Sequence, residues 1–227
     1  MAENESNIEK LDQIQRAQRQ NMNACGEAGD KDGMLLHYAN VADTYDTFKD
    51  LPGWEQGRKN VALALHSAKP GYNARILDCG AATGQTAEEI IKLGYTNIDG
   101  LDMSMDMLRV AERKGLFKNI ICDTIDGVHN TKIADDSYDV VVCNGTFAPG
   151  QMDQTSFPEL TRITKSGGFI IFSVSFKYLH EWKLFKNGQL DSEMKKYVSA
   201  GKWKKVEQET LNYWEDEQAV YYTVYVA

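Results

Sequence analysis

Short apolar runs alternate with amphipathic stretches along the middle of the chain. The runs are Ala74 to Cys79, Asn97 to Asp102, Asn119 to Cys122, Asp139 to Cys143 and Phe169 to Ser175. Each is too short for a helix, rich in Ile, Val, Leu and Phe, and bounded by turn residues, so each predicts a strand. Between them Thr86 to Leu93, Ser104 to Lys114 (with Ser104 as N-cap) and Phe157 to Thr164 carry helical spacing. Strands that are apolar on both faces, each followed by a helix, predict βαβ units on a parallel sheet covered on both sides.

The flanks differ. Residues 1–30 are polar, with Ile8, Leu11 and Ile14 or Gln15 as a thin stripe. They predict a tail, partly helical or disordered, that loosens into a loop at Gly26, Gly29, Asp30 and Gly33. Leu35 to Ala68 is helical in pattern and broken at Leu51-Pro52-Gly53. At the other end, Trp203 to Tyr213 and Gln218 to Val226 alternate in polarity around Trp214-Glu215-Asp216-Glu217, which predicts an antiparallel hairpin on the sheet edge. The one boundary in the pattern lies near residue 30, leaving 31–227 as a single domain.

Charge and targeting narrow the function. The net charge of −8 argues against a phosphate-backbone partner, so nucleic acid is not expected. The polar start, Met1 to Ser6, has no signal-peptide core, and no apolar run reaches membrane-span length; the expected location is the cytoplasm, with a nuclear share left open. Cys25, Cys79, Cys122 and Cys143 form no C-x-x-C pair and are expected to be buried thiols. His37, His66, His129 and His180 are scattered, so no metal site is expected; His129 and His180 are candidates for a general base.

The chemistry concentrates after the first strand, at Asp78-Cys79-Gly80-Ala81-Ala82-Thr83-Gly84. A small-residue turn between a strand and a helix lets backbone amides approach a ligand at the carboxyl edge of the sheet. A dinucleotide fingerprint needs a third glycine, but Gln85 follows Gly84. Asp102, at the end of the second strand, suits two ribose hydroxyls and fits either cofactor class.

The turn resembles the D-x-G-x-G-x-G motif of class I S-adenosylmethionine-dependent methyltransferases, with Ala82 in place of the middle glycine. Further segments resemble the methyltransferases related to the Williams-Beuren-region methyltransferase-like protein: Tyr45-Asp46, Asp50-Leu51-Pro52-Gly53-Trp54, Gly100 to Ser104, Gly145-Thr146-Phe147 and Thr164 to Gly168. The resemblance implies a Rossmann-like three-layer αβα sandwich with a seven-stranded, mostly parallel sheet ending in the hairpin. It implies S-adenosyl-L-methionine as cofactor, with S-adenosyl-L-homocysteine as product. The residues it points to are Asp78, Gly80, Ala81, Ala82, Thr83 and Gly84 in the turn, with Asp102 and Met103 at the ribose. Asp123, Thr124 and Ile125 fall at the adenine, Asn144 and Gly145 beneath the sulfonium, and Tyr45 and Arg58 at the methionine end. Asn144 offers either its side chain or its carbonyl. The acceptor, a small molecule or a protein side chain, is not identified; its pocket is expected from the N-terminal segment, Phe147 to Asp153, Phe176 to Trp182 and Trp214. A nicotinamide-dependent reductase and a protein that binds the sulfonium cofactor without turnover are the rival readings.

Overall fold

The computed structural model describes residues 2–128 and 130–227. At its centre is a seven-stranded sheet in the order β3-β2-β1-β4-β5-β7-β6. The strands are β1 (Ile76–Cys79), β2 (Ile98–Asp102), β3 (Ile120–Cys122), β4 (Tyr138–Cys143), β5 (Thr164–Ser175), β6 (Trp203–Trp214) and β7 (Glu217–Val226). The first five run parallel, and β7 pairs antiparallel with both β5 and β6. The hairpin therefore enters the sheet through its second strand, leaving β6 at the edge.

Period-2 alternation splits the core into two layers. Ile76, Ile98, Val140, Val142 and Ile171 face one side, where Val61 and Leu65 of α3 (Gln56–Ala68) and Ala87 and Ile90 of α4 (Gln85–Lys92) cover them. Leu77, Leu101, Val141, Ile170 and Phe172 face the other, beneath Phe157 and Leu160 of α6 (Phe157–Ile163) and Leu190 and Met194 of α8 (Gln189–Ser199). The three-layer arrangement expected from the strand pattern is present. On α5 (Met105–Lys114) the Ser104 hydroxyl accepts from the Met107 amide at 3.3 Å, the expected N-cap.

The amino-terminal ends of the strands are tied together by one buried carboxylate. Asp99 is 1% exposed and accepts from Arg75 (3.1 and 2.7 Å), the Tyr138 hydroxyl (3.0 Å) and the Asn119 amide (2.8 Å). These partners flank β1, β4 and β3, so one charge fixes neighbours on both sides of β2.

Several boundaries differ from expectation. The N-terminal stripe belongs to one continuous helix, α1 (Ala2–Ala28), and the loop at Gly26 to Gly33 shrinks to Gly29 and Asp30 before α2 (Lys31–Val41). Gly26 sits inside α1 because a Cβ there would overlap the Pro149 carbonyl. Of the alternatives at the stripe's end, Gln15 is buried and Ile14 is half exposed. Arg16 and Arg19 clamp α1 to Glu215 and Glu217 in the β6–β7 turn, Arg19 with two bonds of 3.0 and 2.7 Å. A 3-10 stretch, Ala42–Asp50, follows α2. β5 starts at Thr164 rather than Phe169, and α7 (Phe176–Glu181) and α8 fill a region with no predicted element. All four cysteines are free, and Cys79 and Cys143 are buried, but Cys122 is exposed at the end of edge strand β3. Among the described residues, no helix is long and apolar enough to cross a membrane.

Candidate active site

The strand order reverses between β1 and β4, and the site lies at their carboxyl ends, as the geometry of an open α/β sheet dictates. After β1 the chain folds into a turn in which Gly80 (φ +79°), Ala82 (+45°) and Gly84 (+86°) all adopt left-handed conformations. The Gly80 and Ala81 amides donate to the Leu101 carbonyl (2.8 and 2.9 Å), holding the turn against β2. A Cβ on Gly80 would overlap the Thr146 methyl, so this position needs glycine for space as well as for φ.

Two acids sit at this edge. Asp102 accepts from the Ala82 amide (2.9 Å) and the Ser104 amide (2.8 Å), bridging the turn and the start of α5. Burial raises its pKa against those two bonds. Asp78 lies beneath the turn, 1% exposed, and neither carboxylate oxygen has a hydrogen-bond partner among the described residues. Burial first, and the charge of Asp102 second, push its pKa up to about 7. An orphaned buried carboxyl of this kind costs stability.

A crevice of about 110 Å³ opens above the turn. Ten of the fifteen expected residues line it. Gly80, Ala82, Asp102 and Met103 form one wall; Asp123, Thr124 and Ile125 follow from the end of β3; Asn144 and Gly145 come from β4; Tyr45 closes the N-terminal side. Ala82 and Asp102 are joined directly by the 2.9 Å amide bond, and both line the crevice. Arg58 lines the adjoining cavity instead; its guanidinium donates to the Trp54 carbonyl and lies 4.5 Å from the Trp54 ring centroid.

Ala81, Thr83, Gly84 and Asp78 do not line the crevice. Ala81 and Thr83 are buried, and Gly84 caps α4. The Thr83 hydroxyl turns away and donates to Asp46 at 2.6 Å. Asp46, not singled out in the sequence reading, also accepts from Gln85 (2.9 Å) and pairs with Lys114, which donates to the Thr83 carbonyl at 2.8 Å. Burial opposes its charge, but the hydrogen bonds from Lys114, Thr83 and Gln85 prevail and hold its pKa at about 2. Asp46 thus fastens the N-terminal segment to the glycine turn. The signal was present in Tyr45-Asp46, but the sequence reading assigned it to the tyrosine.

Beyond Asn144 and Gly145 a second cavity, about 150 Å³, opens under α1. The Asn144 amide contacts the Thr86 hydroxyl (3.4 Å), and its side-chain oxygen accepts from Ser173 (3.2 Å). Gly145 leaves 2.9 Å between a notional Cβ and the Tyr213 hydroxyl. Phe147, Ala148, Gln151, Tyr178 and Trp214, all from the segments expected to come together, are in the wall; Gln15, Gln18, Arg19 and Met22 of α1 complete it. His180 is exposed on α7, its ring tilted against Phe176 with centroids 4.4 Å apart, and lines neither space. His129, the other base candidate, lies outside the described residues. The imidazole in the wall is His37, whose pKa is lowered by burial.

A strand-end acid, a glycine turn and a second acid lie at the switch point of a Rossmann-like sheet, the arrangement that class I methyltransferase folds share. Residues 77–172 match the family model described as a methyltransferase domain. Among named relatives, human methyltransferase-like protein 27 is 28% identical over 141 residues, covering 61% of this chain and 56% of that protein. The chain spans about half the length of the relatives it matches. A methyltransferase of Leishmania major superposes with a TM-score of 0.61 at 15% identity, over 84% of this chain and 80% of that one. The 1,6-didemethyltoxoflavin-N1-methyltransferase of Burkholderia thailandensis, solved with its substrate and S-adenosylhomocysteine, gives 0.55 at 14% identity, over 85% and 88%.

Proposed function

We propose that the chain binds S-adenosyl-L-methionine in the crevice and transfers its methyl group to a small molecule held in the cavity under α1. The observation that carries this is the bare carboxyl of Asp78 beneath the turn whose Gly80 and Ala82 line the crevice. An ammonium arriving there would give Asp78 its missing partner. Asp102, already oriented by two backbone amides, would accept from ribose hydroxyls, and Ile125 would cover the adenine beside Asp123 and Thr124. Arg58, with no carboxylate partner among the described residues, would meet the methionine carboxylate next to Tyr45.

The bound cofactor supplies a methyl group already activated on a sulfonium. The protein's part is to align the acceptor, through Asn144 and Gly145 where the two spaces meet, and to keep water out with the aromatic walls. A protein side chain as acceptor is less well supported, because α1 lies across the cavity. Action in the cytoplasm is part of this reading.

Calorimetry with S-adenosylhomocysteine tests it. Asp102→Ala should weaken binding by about 1–3 kcal/mol, the loss of hydrogen bonds to a charged group. Unchanged affinity would remove Asp102 from the site. Transfer of labelled methyl from the cofactor into a metabolite extract then separates an enzyme from a protein that only holds the cofactor; absence of label in every fraction would favour the latter.

A further inference from the structure

We propose that α1 up to Arg19 is a lid that peels off the cavity by local unfolding and admits the acceptor, while the remainder of the helix stays fixed. As the acceptor's entrance this segment rests on the methyltransferase reading above; the opening itself does not.

The two parts of the helix are attached differently. Near its carboxyl end backbone meets backbone: a Cβ on Gly26 would overlap the Pro149 carbonyl, and one on Gly150 would overlap the Gly26 Cα. Beside that contact the Tyr178 hydroxyl donates to Asn23 at 2.8 Å, and the Tyr38 hydroxyl donates to the Met22 sulfur at 2.9 Å. Ahead of Met22 the hold passes to ion pairs and a thin apolar stripe. Arg16 pairs with Glu215, and Arg19 with Glu217 at 3.0 and 2.7 Å. Both guanidiniums lie over the Trp214 ring, 5.4 and 5.9 Å from its centroid. Ile8 and Leu11 rest on the cluster of Phe48, Leu51, Trp54 and Trp214.

Closure of this part is poorly compensated. Asp12 Oδ1 and Gln15 Oε1 on α1, and the Trp214 indole N–H beneath it, are buried with no partner among the described residues. Each forgoes its hydrogen bonds to water and regains them when the segment lifts. Partly exposed ion pairs return little of that cost. Once lifted, a polar helix of this length is marginal in water and unwinds. The segment is therefore a unit of low local stability joined to a fixed end. Gln15, Gln18 and Arg19 are in the cavity wall, so their departure opens the space.

The test is hydrogen–deuterium exchange of the full, ligand-free chain, read by mass spectrometry. Amides of Ile8 to Arg19 should exchange about tenfold or more faster than those of Gly26 to Ala28. Raising salt from about 50 mM to about 1 M should speed the first group about threefold and leave the central strands unchanged. Glu217→Gln should have a similar effect, about threefold. Gln15→Leu, which removes an orphaned oxygen, should slow the same amides. Uniform exchange along α1, or exchange at Ile8 to Arg19 that ignores salt and both variants, overturns the lid. Glu217 is not in the cavity wall, so its variant also tests the entrance. Labelled-methyl transfer from S-adenosylmethionine into a limiting metabolite extract should start about twofold faster in Glu217→Gln than in the parent, following the larger open population. Faster exchange with unchanged transfer overturns the entrance and leaves the opening. Absence of transfer by the parent defeats the methyltransferase reading, and the entrance with it, while the opening stands on the exchange data.

Discussion

Replacing Asp78 with asparagine isolates the effect of one buried carboxyl on both folding and binding. In the unfolded chain the group titrates near its ordinary 3.8; in the folded chain burial and the neighbouring Asp102 carry it to about 7. A carboxyl with a raised folded pKa contributes stability that is fully present below its unfolded value and lost as the pH climbs through its folded value. Three units at 1.36 kcal/mol each give about 4 kcal/mol lost between pH 4 and pH 7. Asp78→Asn carries a neutral amide at every pH and lacks this slope. Urea unfolding of both proteins from pH 4 to pH 8 should show the variant gaining on the parent as pH rises. Asp102 interacts with Asp78 through its charge, so the difference between the curves reports the pair. Binding supplies a second reading. At pH 6 Asp78 is mostly protonated, and an ammonium ligand would displace close to one proton. Calorimetry with S-adenosylhomocysteine in two buffers of different ionisation enthalpy should register that release in the parent and not in the variant. Parallel stability curves together with equal proton release would refute the orphaned-carboxyl argument.

Other expectations follow from the same turn. Gly80→Ala should destabilise by about 3 kcal/mol in urea melts, combining left-handed strain with overlap on the Thr146 methyl; adding Thr146→Ser should recover part of the loss, and no recovery would argue against the steric cause. Ala82→Gly relieves a non-glycine residue at φ +45° and should leave the urea midpoint within about 1 kcal/mol of the parent, with S-adenosylhomocysteine affinity retained; a larger loss would show that the methyl is required. Asp46→Asn should cost about 1 kcal/mol at neutral pH after discounting for partial exposure. Its depressed pKa means that this stabilisation is present above pH 4 and fades as the pH falls through about 2, so the gap between the two unfolding curves should close there.

The sheet was legible because its strands are buried on both faces: a run such as Ile76 to Cys79 has no solvent side to confuse the pattern. Where the physical signal weakened, so did the reading. The first residues of β5 are Thr164-Lys165-Ser166-Gly167-Gly168, which carry no apolar alternation and join the strand beside a register shift opposite Tyr138. α1 reads as a thin stripe because much of its attachment runs through Arg16, Arg19 and Asn23 to the hairpin turn and Tyr178, and ion pairs leave no hydrophobic period. The crevice residues came from one strand-end motif and its successors, whereas Asp46, Thr83 and Lys114 meet only in three dimensions. Arg58 was visible as a charge, but its stacking on Trp54 was not.

The Asp99 network has a consequence for how the molecule tolerates change. At that pole of the sheet a buried anion is fully matched, so removing any one of Arg75, Asn119 or Tyr138 unbalances it and loosens strand registry at its root. At the opposite pole Asp102 and Asp46 hold the glycine turn, while Asp78 beneath it is unmatched. Sequence drift should therefore be uneven, frozen at the strand beginnings and in the glycine turn and freer in the segments that wall the second cavity, which is what lets one scaffold acquire new acceptors without relearning how to fold.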